Sequence, residues 1–161
     1  MGPIQNRTGV ALTLVACLTG IAAAATLGSP PALAVDTVTS KDAPDLTSVR
    51  AKIKAKDYHA ALAELKVLAD THQHADVYSL MGFSLRKTGD YPTALTFYKK
   101  ALDFDADHKG AREYLGELYV ETGDLVKARE QLEILTKLCP QGCEEREDLE
   151  QALASATPKT N

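Results

Sequence analysis

Apolar side chains recur at helical spacing through the middle of the chain. Two such stripes follow each other: Tyr78, Met81, Gly82 and Leu85, then Ala94, Tyr98, Ala101 and Leu102. Because residues three and four positions apart lie on the same face of an α-helix, each stripe predicts one helix with a buried side. The Gly89-Asp90 pair between the stripes predicts a tight turn, so we expect the two helices to form a hairpin.

The hairpin pattern repeats after 34 residues. The positions that match at this offset are Gly82 and Gly116, Thr88-Gly89-Asp90 and Thr122-Gly123-Asp124, Ala94 and Ala128, and His74 and His108. A glycine that ends a helix tolerates the left-handed conformation, and the aspartate after it can cap the next helix. A glycine inside a helix costs about 1 kcal/mol relative to alanine. Gly82 and Gly116 therefore predict close approach of a neighbouring helix, with Ala94 and Ala128 facing them.

These positions make the sequence resemble the tetratricopeptide repeat family. The family pattern of aromatic, Leu-Gly, Tyr, Ala, Phe and Pro positions is matched twice: by Tyr78, Met81-Gly82, Leu85, Ala94 and Tyr98, and by Leu115-Gly116, Tyr119, Ala128, Leu132 and Pro140. Two positions depart from it, since Arg112 stands where an aromatic belongs and Ala106 where a proline belongs. A degenerate unit around Lys56-Asp57-Tyr58 precedes them at an offset of 33 residues.

The resemblance implies an all-α fold of helix-turn-helix repeats stacked in a short right-handed superhelix. We expect about three hairpins, over 45–74, 75–108 and 109–142, followed by a capping helix over 143–154. In that helix Leu149, Ala152 and Leu153 share one face and acids occupy the other, as expected of a polar terminal cap. Segments 35–44 and 155–161 lack a hydrophobic period, which predicts a flexible linker and a disordered tail.

The first 34 residues have the composition of an export signal. No Asp, Glu, Lys, Arg or His occurs between Gly9 and Ala34, and Arg7 precedes this apolar stretch. Signal peptidases require small residues at the last and third-last positions, which Ala32 and Ala34 supply. We therefore expect a signal peptide over 1–34, cleavage after Ala34, and export to a bacterial periplasm.

Two other interpretations of this segment stay open. Leu14-Val15-Ala16-Cys17 resembles a lipobox, in which Cys17 would carry a lipid anchor, although the apolar stretch continues well past it. Alternatively, the stretch stays uncleaved and anchors the protein in the membrane. Two features argue against this anchor: the stretch is only weakly hydrophobic, and Pro30-Pro31 follows it.

Charge and motif content narrow the function. The net charge of −4 becomes −5 when Arg7 leaves with the signal, and no basic tract is present, so nucleic-acid binding is not expected. The sequence contains no phosphate-binding loop, serine-hydrolase elbow or zinc-protease helix, so we expect neither catalysis nor a cofactor. The family resemblance instead implies a protein or peptide partner, of unknown identity, in a groove lined by the first helix of each unit.

Carrying the family's groove positions onto this chain gives candidate partner contacts. The side chains expected there are Leu46, Arg50, Ile53, Lys54, Asp76, Ser79, Phe83, Arg86, Lys87, Glu113, Glu117, Val120 and Glu121. One end of this set is basic and could pair with a carboxylate-rich segment, whereas the other end is acidic. The alternative is that both charged stripes are solvated helix faces.

Two further features qualify the groove. Phe83 is an aromatic among polar neighbours, so it is either a contact for the partner or packing between units. Some family members grip the C-terminal carboxylates of chaperones through Lys, Arg and Asn, but Asn161 is the only asparagine after the signal. Binding of chaperone tails is therefore not expected.

Cys139 and Cys143 flank a loop that contains Pro140 and Gly142. In an oxidising compartment such a pair is most simply a disulfide, which would hold the cap helix against the array. Thiol-redox exchange is an alternative, because a helix N-terminus activates a thiol. A second alternative is metal binding, either by the two cysteines or by His72 with His74. Two thiolates alone make an incomplete metal site. An envelope accessory acting through Cys139 and Cys143 is thus the second functional hypothesis.

Overall fold

A computed structural model describes residues 43–156, which form seven α-helices and no strand. The helices are α1 (Thr47–Lys54), α2 (Tyr58–Thr71), α3 (Ala75–Lys87), α4 (Tyr91–Phe104), α5 (Lys109–Glu121), α6 (Leu125–Leu138) and α7 (Glu144–Ala156). The predicted all-α repeat fold of three hairpins and a final helix is confirmed. The predicted signal peptide, Cys17, most of the linker 35–44 and the end of the tail lie outside the described residues.

The turns inside the hairpins use the predicted glycines and aspartates. Gly89 has a φ of +87° and Gly123 a φ of +83°, both in the left-handed region that glycine enters without a steric penalty. Asp90 Oδ1 accepts a hydrogen bond from the backbone N–H of Thr93 at 3.2 Å, and Asp124 Oδ1 accepts one from Lys127 at 3.2 Å. Each aspartate thereby satisfies one of the free donors at the start of a helix.

The first hairpin reaches the same turn without a glycine. Lys56 has a φ of +61° and stands where the later units have Gly89 and Gly123. Asp57 then caps α2 by accepting a hydrogen bond from Ala60 N at 3.1 Å. The degenerate unit therefore keeps the backbone path of its neighbours at the cost of a strained residue.

Each helix packs against the next one in the chain, and the first helices of neighbouring hairpins also pack against each other. Each hairpin packs internally, α2 packs on α3 and α4 on α5, while α3 also contacts α5 and α5 contacts α7. Buried side chains such as Val49, Leu65, Val77 and Leu135 form the core between these layers. The first helices of successive units consequently lie side by side and form one face of the array.

The two mid-helix glycines allow close packing, but against larger partners than expected. A Cβ added to Gly82 would lie 2.6 Å from Cε1 of Tyr98, and one added to Gly116 would overlap the end of Leu149. The nearest side chains are therefore a buried ring and a leucine from the cap helix, not Ala94 and Ala128. Each glycine makes room for a large side chain that fills the space a smaller pair would leave empty.

Within residues 43–156, no helix has both the length and the apolar character needed to cross a membrane.

Candidate functional site

A cavity of about 390 Å³ opens on the face formed by the first helices, and we call it the groove cavity. Every first helix and the cap helix contribute to it. The lining residues are Arg50 from α1, Asp76, Ser79 and Leu80 from α3, His108, Gly110, Glu113 and Tyr114 from α5 and its cap, and Glu144, Glu145 and Asp148 from α7. Arg50, Asp76, Ser79 and Glu113 were predicted from the sequence.

Among the remaining predicted groove residues, Leu46, Ile53 and Val120 pack in the hydrophobic core. The others divide into three groups. Lys54 and Lys87 are exposed and lie outside the groove cavity. Glu117 lines a smaller neighbouring cavity of about 330 Å³ together with Asp148. Phe83, Arg86 and Glu121 take part in contacts between units, described next.

Arg86 links the second unit to the third. Its side chain is almost fully enclosed, since the residue is only 2% exposed. The guanidinium donates to Glu121 Oε1 at 2.6 Å, to Glu117 Oε2, and through Nε to the Tyr98 hydroxyl at 3.3 Å. Arg86 is therefore not free to bind a partner as part of the predicted basic stripe, because its guanidinium already pairs with two acids of the predicted acidic stripe.

Phe83 also packs between units. Its ring centroid lies 4.8 Å from that of Tyr114 and 6.2 Å from that of Tyr58, and the Arg86 guanidinium lies 5.4 Å from the ring centre. These contacts come from α2 and α5 on either side of α3. Of the two interpretations of Phe83, the geometry favours packing.

Glu113 and Ser79 are buried in the wall of the groove cavity without partners. Glu113 is 8% exposed and Ser79 2% exposed. Within residues 43–156, neither the Glu113 carboxyl nor Ser79 Oγ has a hydrogen-bond partner. Burial, with the nearby charges of Glu117, Asp148 and Glu145, raises the pKa of Glu113 to about 8.

Asp76 is held in the ionised form by a histidine of the next unit. His108 Nδ1 accepts a hydrogen bond from Ala111 N at 3.0 Å and so caps α5, which leaves the proton on Nε2. Nε2 then donates to Asp76 Oδ1 at 3.0 Å. This hydrogen bond lowers the pKa of Asp76 despite partial burial.

Sequence reasoning missed the contribution of α7 to the cavity. The sequence pattern predicts that the acids of this helix lie on the solvated side of a cap, yet Glu144, Glu145 and Asp148 line the groove cavity. The spacing of Glu144 and Asp148 could have indicated a shared surface, because residues four positions apart lie on one face of a helix. α7 packs on α5 as the first helix of a fourth unit would, and this packing turns that face toward the cavity.

The cysteine pair lies between α6 and α7. The Cα atoms of Cys139 and Cys143 are 6.0 Å apart, a separation within the range that disulfides span, and the sulfur atoms lie 2.06 Å apart. Gly142 in the intervening loop has a φ of +103°. In the described part of the chain, no three His, Cys, Asp or Glu side chains are grouped so that they could hold a metal ion. His74 and His108 instead cap α3 and α5.

Comparisons with known proteins agree with this architecture. Residues 85–153 match the family described as tetratricopeptide repeat. No curated protein is significantly similar to the chain in sequence.

Solved structures that share the fold include three structures of two proteins, SycD and PcrH. The type III secretion translocator chaperone SycD of Yersinia enterocolitica has a TM-score of 0.60 at 17% identity, over 68% of this chain and 79% of SycD. SycD in complex with a peptide of the translocator YopD has a TM-score of 0.58 at 17% identity, over 68% of this chain and 84% of SycD. PcrH in complex with the chaperone binding region of PopB has a TM-score of 0.57 at 18% identity, over 69% of this chain and 90% of PcrH.

Proposed function

We propose that this chain, of which residues 85–153 match the tetratricopeptide repeat family, is a scaffold that binds a segment of a partner polypeptide along its first helices. The observation that carries the proposal is the groove cavity, to which α1, α3, α5 and α7 all contribute polar side chains. An extended segment in contact with all four helices would be recognised at several points, as is typical of helical repeat proteins.

The known complexes of similar fold support this role. PcrH is seen with the chaperone binding region of PopB, and SycD with a peptide of YopD. In both complexes the bound partner is a polypeptide segment. We therefore propose binding without catalysis.

Site-specific photo-cross-linking tests the groove. A photoreactive residue replacing Glu144, which is exposed and lines the groove cavity, should attach the protein to a partner polypeptide in the producing cell. The matched control replaces Glu133, which is exposed on α6 and lines neither of the two cavities described above. Equal labelling from the two positions would contradict binding along the first helices.

We propose further that the protein acts after export. The support is the apolar segment before Ala34 and the closeness of Cys139 and Cys143, a pair suited to an oxidising compartment. Mass spectrometry of the protein from the periplasmic fraction should find Val35 as the first residue. A chain that begins at Met1, or at a lipidated Cys17, would favour one of the two anchored forms instead.

In this proposal the cysteines form a disulfide that stabilises the cap helix. Replacing both Cys139 and Cys143 by Ser should lower the free energy of unfolding by about 2 kcal/mol, the expected value for so short a loop. Cross-linking from position 144 should persist at a temperature where the variant is folded. Loss of partner binding by a fully folded double variant would favour the accessory role acting through the thiols.

A further inference from the structure

We propose that the groove cavity binds the cationic end of a lysine or arginine side chain from the partner segment. This inference rests on the proposed function, since it names the chemistry that the groove would recognise. It also reverses the expectation from sequence, in which the groove's basic end was to bind a carboxylate-rich segment.

The charges around the cavity favour a cation. Its wall carries five carboxyl groups, from Asp76, Glu113, Glu144, Glu145 and Asp148, against the single guanidinium of Arg50. Arg50 comes from α1, at the opposite end of the helix row from the three acids of α7. The negative charge is therefore concentrated where α5 and α7 meet, and an anionic group placed there would be repelled.

A second and independent feature is the unpartnered hydroxyl of Ser79 in the wall. Ser79 Oγ is enclosed and has no hydrogen-bond partner within residues 43–156. Glu113, a residue that is 8% exposed, makes no hydrogen bond through its carboxyl in the same range. Buried polar groups are normally paired, and leaving one unpaired is unfavourable. An ammonium or guanidinium group has only donors to offer, and these two groups supply acceptors for it.

A bound cation would also take the place of the proton on Glu113. The raised pKa of this carboxyl means that it is largely protonated at pH 7. The charged and titratable groups that act on it are Glu117 on the same helix, Glu145 and Asp148 on α7, and Arg86 on α3, and Glu113 in turn acts on Tyr114. Binding should therefore release a proton and become tighter as the pH rises toward 9.

Binding of single amino-acid analogues tests the proposal without a known partner. N-acetyl-lysine methylamide and N-acetyl-arginine methylamide are added to ¹⁵N-labelled protein, with N-acetyl-norleucine methylamide as the uncharged probe. The two cations should shift the backbone signals of Ser79, Glu113 and Asp148, whereas norleucine should not. Glu113→Gln and Asp148→Asn should each weaken binding of the cations about tenfold, equivalent to 1.4 kcal/mol.

Glu133→Gln is the control and should bind the cations as the parent protein does. Equal shifts from norleucine, or from Mg²⁺ at the same ionic strength, would overturn the proposal, as would unchanged affinity in a folded Glu113→Gln variant. The two proposals can fail separately. Cross-linking from position 144 without a preference for the cationic probes would overturn only this inference, and cation binding without cross-linking would overturn only the proposed function.

Discussion

Burial gives Glu113 a stability effect that a surface carboxyl lacks. Its pKa is raised to about 8 in the folded protein from an ordinary value near 4.5, first by desolvation and then by neighbouring acids. Between these two values the folded state holds a proton that the unfolded chain has lost. The stabilising contribution is therefore complete below pH 4.5 and is lost as the pH rises to 8.

Glu113→Gln should remove this pH dependence. The variant's stability relative to the parent protein should increase between pH 4.5 and pH 8 by a few kcal/mol, because each unit of pKa shift corresponds to about 1.4 kcal/mol. Urea unfolding followed by circular dichroism across this range measures the difference. Glu133→Gln should leave the profile unchanged, and parallel curves for Glu113→Gln and the parent would show that Glu113 ionises as an ordinary carboxyl.

At the scale of the hairpin, one turn in three carries a steric cost. Lys56 adopts a φ of +61° where the next two units have glycines. Lys56→Gly should raise the free energy of unfolding by up to about 1 kcal/mol, since it relieves this strain. The reverse exchange, Gly89→Lys, should lower it by a similar amount, because a Cβ at position 89 meets nothing within 4 Å and only the backbone is affected. Thermal unfolding compares the two, and changes of the same sign would contradict the argument.

Between hairpins, Arg86 couples three helices through one side chain. Arg86→Met keeps the stem but removes the donors to Tyr98, Glu117 and Glu121. We expect a loss of about 2–3 kcal/mol, less than for a fully buried pair, because the two carboxylates are partly exposed and can turn toward water. Lys87→Met, at the exposed neighbouring position, is the control for chemical denaturation. A change no larger than that of the control would show that the ion pairs are screened by solvent.

Over the whole array, the sequence pattern predicts the parts that follow local rules. Gly89, Asp90 and their equivalents specify turns and caps whatever surrounds them, and the 34-residue offset identifies the repeat. The site depends instead on how neighbouring units are rotated against each other. That rotation directs Arg86 to the acids of the next unit, buries Glu113, and turns the acids of α7 into the groove cavity. Only part of the cavity wall could therefore be predicted.

The cap helix offers a test of how far stability is shared along the array. Leu149 is fully buried against Gly116, so Leu149→Ala should create a cavity and cost about 2–5 kcal/mol. In repeat proteins each unit contacts only its neighbours, and a local loss need not spread. Amide hydrogen exchange should therefore accelerate in α5, α6 and α7 and change much less in α2 and α3. Val126→Ala, at a 67% exposed position on α6, is the control. Equal acceleration in all seven helices of residues 43–156 would show that the array unfolds as one cooperative unit, in which case the cap stabilises the whole groove cavity.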